Sequence, residues 1–434
     1  MSKRKSVTYL FILFILISTL LVLSACAQNT KEEIQFQGFD YNDNYQLEQM
    51  SIVSRHGVRS PIINPGSAIS TGTPYQWFDW TSGPGELSLK GGQVETYMGQ
   101  YFRKYCELEN MIPENWIPKD DEAFFYSNCI QRTIATAQYF SSGMMPVANV
   151  KINHKDMATN KDNFFVVTPT RDDDAFKAQV KKEIDESFGE QGIYNYLKPS
   201  IDELEKVIDF KNSEYAKSHN IEHMPSGDIN PIIVAGKEFK HEDFLEFANQ
   251  FADTLAFQYL EEPDDAKAGF GKPITYDQMK LISKILSANM RVVAGTYTLA
   301  CNGIQPLLQE LSKDINNNTR KFTFLCGHDT TTTALLTALK VKDSTFSNTF
   351  TEFAPIGAKV VISKYKNKNG EEFCKLFHVY ESTNQIRFGT VIDLDDGPVA
   401  YPLELEGLSK NQDGFYKLND INMRLAEALK NGGM

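Results

Sequence analysis

The most informative stretch of the chain is Arg55-His56-Gly57-Val58-Arg59-Ser60-Pro61, which directly follows the predicted strand Leu47–Ser54. Two arginines flank a histidine within five residues, beside a glycine that lets a backbone approach a ligand closely. Arginine offers fork-shaped donors for an oxyanion, and an imidazole with a free nitrogen can attack it. The stretch therefore predicts an oxyanion site at the end of a strand, with His56 as nucleophile and Arg55 and Arg59 as anion-binding groups.

Two further strand-to-helix junctions also carry charged or ionisable side chains. The predicted strand Ala123–Ser127 leads to Arg132 at the start of a helix. The predicted strand Lys321–Cys326 leads through His328 and Asp329 into another helix. Because ligands of open α/β sheets bind beyond the carboxyl ends of the strands, we expect the three junctions to converge on one site.

In such a shared site, Arg132 and His328 would add donors to the oxyanion, and Asp329 would face the leaving oxygen as a carboxylic acid. Each of these residues also has an ordinary structural interpretation. Arg132 alone is typical of a solvated helix residue, and a lone His-Asp pair is typical of a helix N-cap. Their combination with the first stretch favours a catalytic role.

The rest of the chain predicts an α/β protein with a mostly parallel-sheet core and helices on both faces. Strands return near the C-terminus at Ala358–Ser363 and Phe377–Glu381. The middle of the chain has long charged segments with apolar residues at helical spacing: Asp172–Lys211, His241–Glu262 and Tyr276–Asn318. We predict a catalytic region over residues 46–434, with a mostly helical insertion at about residues 145–275.

The N-terminal residues 1–25 predict a bacterial lipoprotein signal peptide. A positively charged start precedes the apolar run Tyr9–Leu23, which is too short to span a membrane comfortably. The run ends in Leu23-Ser24-Ala25-Cys26, which resembles a lipobox and predicts lipidation of Cys26. An ordinary signal peptide and an N-terminal anchor helix are the alternatives. Residues 26–45 then form a polar tether, and the protein is expected in the bacterial cell envelope, attached to the membrane through its lipid.

The net charge of −12 argues against a basic nucleic-acid-binding face, and nothing in the sequence indicates an obligate protein partner. Five of the six cysteines remain if Cys26 carries lipid, and export permits disulfides. Cys106 and Cys129 flank a helix-to-strand connection and are the candidate pair. The chain has no C-x-x-C and no histidine cluster typical of a metal site.

Together the motifs resemble the histidine acid phosphatase family, the large branch of the histidine phosphatases, over about Leu47–Leu425. The stretch at 55–61 matches the family's N-terminal signature, and His328-Asp329 matches its C-terminal signature. Residues 85–91 look like the loop and helix start of bacterial members, and Arg132 falls at the family's downstream phosphate-binding arginine.

This resemblance implies the histidine phosphatase fold and hydrolysis of small phosphomonoesters, without a metal or an organic cofactor. It implies a phosphohistidine on His56 and an acid, Asp329, that protonates the leaving alcohol. It also implies a set of residues that hold the phosphoryl group: Arg55, Arg59, Arg132 and His328.

Two positions depart from the phytases of the family. Ile62 stands where phytases usually carry threonine, and Asn128 stands where bacterial phytases tend to carry aspartate. Both departures make strict phytase activity less expected, so hydrolysis of inositol hexakisphosphate is kept as the alternative. A non-catalytic phosphosugar-binding lipoprotein is the rival from another class.

The loop from Ile62 to Trp80 is rich in aromatic residues and is the expected wall on the substrate side. Its aromatic rings could stack on a sugar or ring of the substrate, or they could simply pack within the loop. The residues concerned are Tyr75, Trp77, Phe78 and Trp80.

Overall fold

The computed structural model describes residues 44–119, 121–159, 162–343 and 345–433. The predicted signal peptide, Cys26 and the tether up to residue 43 lie outside the described residues. Tyr45, the last residue of the predicted tether, instead begins the first strand, β1 (Tyr45–Arg55). Its ring stacks on Phe415 with ring centroids 4.1 Å apart, which explains why the strand begins two residues before the predicted Leu47.

The core is an eight-stranded mixed sheet. Its strands are β1, β2 (Ala123–Ser127), β3 (Ile152–Asn153), β6 (Phe322–Gly327), β7 (Lys359–Asn367), β8 (Glu372–Tyr380), β9 (Val399–Pro402) and β10 (Tyr416–Lys417). Two further strands, β4 (Pro231–Ile232) and β5 (Lys240–His241), form a separate hairpin.

The strand order is β10-β8-β7-β1-β6-β2-β3, with β9 also paired to β8. The strands β1, β6, β2 and β3 are parallel to one another, as predicted for the core. β7 pairs with β1 in the antiparallel direction. A short turn then joins β7 to β8 and reverses the chain, so this pair is antiparallel too. The α/β fold with mostly parallel core strands is therefore confirmed. The antiparallel part of the sheet was not predicted from the sequence.

Fourteen helices accompany the sheet in the described part of the chain. They are α1 (Ala68–Thr71), α2 (Leu89–Leu108), α3 (Gln131–Met144), α4 (Asp174–Phe188), α5 (Gly192–Ile208), α6 (Glu214–His219), α7 (Phe244–Glu261), α8 (Asp265–Ala268), α9 (Tyr276–Ala294), α10 (Tyr297–Gly303), α11 (Gln305–Asp314), α12 (Asp329–Ala338), α13 (Thr383–Phe388) and α14 (Leu418–Asn431). Ser88 caps α2, since its side chain accepts a hydrogen bond from the Gly91 amide.

Helices cover both faces of the sheet. On one face, the Phe140 ring of α3 stacks on Phe324 of β6 with centroids 4.2 Å apart. The preceding strand residue, Thr323, donates from its hydroxyl to Asp314 at the end of α11. Because successive strand residues point to opposite faces, α3 and α11 lie on opposite sides of the sheet.

The middle of the chain contains the helices α4 to α8 and the β4–β5 hairpin. Apolar side chains of α7, such as Phe251 and Leu255, are fully buried and belong to the same cluster as Val53 and Val58 near the end of β1. This segment therefore shares its apolar core with the end of β1. Its organisation as a separate insertion at about residues 145–275 stays a prediction.

The candidate disulfide between Cys106 and Cys129 is wrong, since both cysteines are free and buried. Arg103, three residues before Cys106, donates to the Met144 carbonyl at the C-terminal end of α3. Cys129 lies two residues before the other end of this helix. The 14 residues of α3 span about 21 Å. A disulfide needs Cα atoms within about 7 Å, so packing along α3 keeps the two sulfurs apart.

Candidate active site

The three strand-to-helix junctions meet at one level of the sheet. In the parallel register, Arg55 lies beside Gly327, and Ser127 lies beside Cys326. The His56 amide extends this pairing by donating to the Gly327 carbonyl at 3.1 Å. The carboxyl ends of β1, β2 and β6 are thus aligned, and the side chains that follow them share a single site.

His56 presents one free ring nitrogen. Its Nδ1 lies 2.9 Å from the Gly57 carbonyl oxygen, and because a carbonyl only accepts, Nδ1 carries the proton. The lone pair of Nε2 is therefore available. Burial, followed by the charges of Arg132, Arg59 and Arg55, holds the pKa of His56 far below its ordinary value. The ring is neutral at physiological pH, as a nucleophile must be.

Three guanidinium groups stand close together around this ring. Arg55 Nη2 lies 2.9 Å from Asp329 Oδ2, and Arg55 Nη1 donates to the Ala354 carbonyl at 2.5 Å. Arg132 donates to the Gly85 carbonyl at 3.4 Å. Burial first, and then repulsion from Arg59 and Arg55, lowers the pKa of Arg132 to about 10.

Each of these arginines keeps an unsatisfied donor. Within the described residues, the buried Nε atoms of Arg55, Arg59 and Arg132 have no hydrogen-bond partner. Unpaired buried donors are costly, and three mutually repelling cations are stabilised by an anion. The arrangement fits a phosphoryl group with several oxygens to accept these bonds.

His328 lies beside His56, with the two ring centroids 5.6 Å apart. Its Nε2 is 2.6 Å from the side-chain nitrogen of Asn128. The other amide atom of Asn128 accepts from the backbone N–H groups of Cys129 and Asp162, which fixes the amide orientation. Asn128 must then donate to Nε2, so His328 carries its proton on Nδ1. Burial first, and then Arg132, lowers the pKa of His328 to about 3, and the ring is a neutral donor.

Asp329 begins α12, and its Oδ1 accepts from the Thr330 amide at 2.8 Å. Burial raises its pKa, but Arg55, His328 and this amide outweigh that effect and hold the pKa below its ordinary value. Asp329 is therefore ionised in the ligand-free site. A role as proton donor requires that a bound substrate first change its surroundings.

Asp253 on α7 also belongs to the site, although the sequence motifs did not identify it. Its Oδ2 lies 3.0 Å from Arg59 Nη2, while the Arg59 guanidinium sits 4.2 Å over the Phe257 ring. The helical spacing from Asp253 to Phe257 was the available signal, but Arg59 lies 194 positions away in the sequence. Asp253 thus holds Arg59 in place and competes with an incoming anion for it.

The aromatic residues of the loop 62–80 make packing contacts within the fold and are also partly exposed. Tyr75 stacks on Phe270 with centroids 5.2 Å apart, and the edge of Trp77 meets the same ring. Trp77 also donates from its indole N–H to the Ile69 carbonyl. These two residues pack within the fold, and Trp80 also packs against the main apolar cluster. Phe78 and Trp80 contact each other edge to face, and all four residues are partly exposed.

Ile62 is half exposed at the rim of the site. Its side chain lies against Gly85, where an added Cβ would be 3.1 Å from Ile62 Cγ1. The same glycine carries the carbonyl that anchors Arg132. Ile62 therefore places an apolar group close to Arg132.

In the part of the chain that the structure describes, no group of three or more His, Cys, Asp or Glu side chains could hold a metal ion. The positive charge of the site comes from Arg55, Arg59 and Arg132.

Comparisons with known proteins agree with this geometry. Residues 46–381 match the model of the histidine phosphatase superfamily (branch 2). The chain is 29% identical to glucose-1-phosphatase from Providencia rettgeri over 390 residues, covering 88% of this chain and 92% of that protein. It is 28% identical to glucose-1-phosphatase from Salmonella typhimurium over 393 residues, covering 89% and 94% of the two chains.

Among solved structures, the apo form of Hafnia alvei phytase superposes with a TM-score of 0.80. The likeness covers 90% of this chain and 99% of that chain, at 21% sequence identity. At this level of identity the phytase supports the fold alone.

Proposed function

The chain belongs to branch 2 of the histidine phosphatase superfamily and is a phosphomonoesterase, and from this premise we propose that it hydrolyses sugar phosphates through a phosphohistidine on His56. One observation carries the proposal: a neutral imidazole with a free Nε2 lies among three buried guanidiniums whose Nε donors are unpaired within the described structure. Positive charge around the phosphoryl oxygens lowers the repulsion that an attacking lone pair meets.

The first step transfers the phosphoryl group to the enzyme. His56 Nε2 attacks phosphorus, an N–P bond forms, and the bond from phosphorus to the sugar oxygen breaks. Arg55, Arg59, Arg132 and the Nδ1–H of His328 hold the phosphoryl oxygens, and the proton of Asp329 goes to the leaving oxygen. In the second step, water gives its proton to Asp329 and attacks phosphorus, which releases phosphate and free His56.

Substrate binding is what protonates Asp329 in this scheme. Its carboxylate is ionised beside Arg55 in the free site, with an Nη2–Oδ2 distance of 2.9 Å. A bound phosphate competes for Arg55 and adds negative charge near the carboxylate. Both effects raise the pKa of Asp329 and favour its acid form.

The acceptor side of the site favours a sugar monophosphate. Asp253 brings a carboxylate to the pocket, and Ile62 offers an apolar surface where a threonine would donate to a phosphate. A sugar hydroxyl can bond to a carboxylate, whereas the further phosphates of inositol hexakisphosphate are repelled by it. Glucose 1-phosphate, after which the bacterial relatives are named, is the first candidate. Phytase activity is the second, favoured by the fold shared with the Hafnia alvei enzyme.

The test compares phosphate release from glucose 1-phosphate, 4-nitrophenyl phosphate and inositol hexakisphosphate. We expect the largest kcat/KM for the sugar phosphate and loss of all turnover in His56→Ala. Rapid quench with labelled substrate should trap acid-labile phosphate on the wild type. Preference for inositol hexakisphosphate would replace the first candidate with the second, and near-normal turnover in His56→Ala would remove the phosphohistidine mechanism.

We also propose that the mature protein is attached to the bacterial envelope through lipid on Cys26. The support is the Leu23-Ser24-Ala25-Cys26 sequence at the end of the apolar run. None of the described helices is long and apolar enough to span a membrane. Cys26→Ser should release the enzyme into the soluble fraction or leave it unprocessed. An unmodified mature N-terminus downstream of Cys26 in the wild type would instead show simple secretion.

A further inference from the structure

Three buried charged side chains lie beneath His56, and the reaction described above does not use them. Lys359 on β7, Glu95 on α2 and Glu381 just after β8 expose 0%, 1% and 1% of their side chains. Lys359 Nζ lies 3.1 Å from Glu95 Oε2 and 3.9 Å from Glu381 Oε1. Burying charges costs desolvation energy, and such clusters add little net stability. A role in positioning the backbone around His56 is a stronger explanation for their presence.

The cluster contacts the backbone on both sides of His56. A Cβ on Gly57 would lie 3.2 Å from Glu95 Cγ. Gly357 has a positive φ of +76°, and a Cβ there would lie 2.8 Å from Glu381 Oε2 and 3.3 Å from Glu95 Oε1. Lys359 Nζ donates to the Gly357 carbonyl at 2.6 Å. Each of the three charged side chains therefore contacts Gly57 or Gly357.

Gly357 belongs to the segment 354–358, which contacts the reacting groups directly. The Gly357 amide donates to the His56 carbonyl at 3.1 Å. At the start of the segment, the Ala354 carbonyl accepts from Arg55 Nη1 at 2.5 Å. A shift of this segment would move the nucleophile and a phosphate-binding arginine together.

We propose that Glu95, Lys359 and Glu381 are positioning residues, which hold Gly57 and the segment 354–358 so that His56 and Arg55 face the phosphoryl group. The proposal rests on the phosphohistidine mechanism proposed above. It assigns the cluster no contact with substrate.

The charge state of the cluster gives it a pH dependence. Burial raises the pKa of Glu95 to about 8, against the pull of Lys359 and with the support of Glu381. Burial likewise raises the pKa of Glu381, whereas the two glutamates raise the pKa of Lys359 despite its burial. At neutral pH Glu95 therefore keeps its proton, while the Lys359 ammonium stays charged.

The other groups that face the cluster are uncharged and do not alter its charge. The Cys326 thiol on β6 is neutral because burial raises its pKa well above the ordinary value. From α3, the Phe140 ring lies 5.7 Å from Lys359 Nζ. Beyond Gly57, His56 is neutral as well. Loss of the Glu95 proton above about pH 8 therefore adds a buried negative charge next to Gly57 and Gly357.

The first experiment measures kcat and KM for 4-nitrophenyl phosphate from about pH 5 to about pH 9 in the wild type, Glu95→Gln and Glu381→Gln. The wild-type kcat should decline above about pH 8 with little change in KM. Either glutamine variant leaves one carboxyl beside Lys359, so its cluster cannot become negative. Both variants should therefore lose the alkaline decline.

Asp314→Asn is the matched control. Asp314 is a buried carboxylate that accepts from Ser51 and Thr323 on the same sheet, near the start of β6 and away from His56. This variant should lower stability and keep the alkaline decline. A double variant, Lys359→Met with Glu381→Gln, removes the bond to the Gly357 carbonyl without adding charge. Its kcat should fall about tenfold, or about 1.4 kcal/mol, with KM little changed.

Infrared spectra of the wild type give a readout that needs no variant to fold. A protonated carboxyl band should be present at neutral pH and disappear in step with kcat as the pH rises. Absence of this band at neutral pH, or an alkaline decline unchanged in both glutamine variants, would overturn the positioning role. If the wild type hydrolyses phosphomonoesters but His56→Ala does so equally well, the proposed mechanism fails instead.

Discussion

At the scale of single residues, the site depends on which nitrogen of each histidine carries the proton. The Gly57 carbonyl places the proton of His56 on Nδ1 and frees Nε2 for attack. Asn128 places the proton of His328 on Nδ1, the ring nitrogen that does not face the amide. A backbone carbonyl and a buried amide thus give two similar rings different tasks.

Asn128→Asp should change the protonation of His328. A carboxylate accepts where the amide donates, so Nε2 must carry a proton and the pKa of His328 should rise from about 3. Nitrogen NMR of labelled histidine reports the proton position directly. We expect kcat/KM at neutral pH to fall about tenfold.

Asn302→Asp is the control for this change. Asn302 is a buried asparagine that donates to the Gly432 carbonyl and Thr170, away from the site. It should destabilise the protein without altering the nitrogen shifts of His328. Unchanged His328 shifts in Asn128→Asp would contradict the hydrogen-bond assignment.

Asp329→Asn tests the proton donor by its dependence on the leaving group. Nitrophenolate leaves without protonation, whereas a sugar alkoxide needs a proton. Hydrolysis of glucose 1-phosphate should therefore fall about 100-fold or more relative to that of 4-nitrophenyl phosphate. The ratio of the two kcat values is the measurement, since loss of the ion pair with Arg55 affects both substrates alike. His328→Ala should lower both rates by a similar factor, and equal losses in Asp329→Asn would move the acid role to another residue.

At the scale of elements, the packing of helix α2 against helix α3 affects the geometry of the site. Gly99 on α2 packs on the backbone of α3, where an added Cβ would lie 2.1 Å from the Phe140 carbonyl. Gly143 on α3 makes the reciprocal contact with the Thr96 carbonyl. The helices approach closely because neither contact residue has a side chain. Since α3 carries Arg132 in its first turn, the fit of this helix pair sets the position of the Arg132 guanidinium.

Gly99→Ala should lower the free energy of unfolding by about 1–3 kcal/mol, because the methyl group overpacks the helix contact. It should also weaken competitive inhibition by inorganic phosphate, since α3 must move and Arg132 moves with it. Urea unfolding and inhibition constants measure the two effects. Gln100→Ala, at the exposed neighbouring position, should stay within about 0.5 kcal/mol of the wild type. Equal stability of the two variants would contradict the close helix contact.

At the scale of the whole molecule, buried neutral histidines govern the stability in acid. Burial lowers the pKa of His328 and of His378 on β8 to about 3. His56 shifts in the same direction. Between these values and the ordinary value near 6.5, the unfolded chain binds protons that the folded chain does not. Stability therefore falls as the pH falls through this window.

His241 acts in the opposite direction. Burial lowers its pKa, but bonds to Asp243 and Asn289 outweigh this and raise it above the ordinary value. Its contribution is fully present below about pH 6.5 and is lost as the pH rises through the raised value. His241 therefore offsets part of the stability that the other histidines cost the protein at low pH.

We expect the unfolding free energy to be lower at about pH 5 than at about pH 7, by up to about 2 kcal/mol for each buried neutral histidine. Urea unfolding at the two pH values measures the difference. His378→Leu removes a ring that lacks a hydrogen-bond partner among the described residues and lies away from the site, so it should reduce the difference by about this amount. The same pH dependence in His378→Leu and the wild type would contradict the assignment.

The sequence alone determined the α/β class and the three junctions that carry the motifs. The predicted strand Ala123–Ser127 is confirmed residue for residue, and Lys321–Cys326 differs from β6 by one residue at each end. These features are local, because a short apolar run followed by glycine or a helix cap specifies its own conformation. The roles of His56 and Asp329 stay predictions.

Only the tertiary structure decided which side chains meet. Asn128 reaches His328 across 200 residues, Arg59 reaches Asp253 across 194, and Lys359 reaches Glu95 across 264. The same packing separates Cys106 from Cys129, which sequence proximity had made a candidate pair. Such pairs depend on strand register and helix docking, which result from burial of the whole core rather than from the conformational preference of any segment. The sequence could therefore identify the residues that carry the chemistry, but not the partners that orient them.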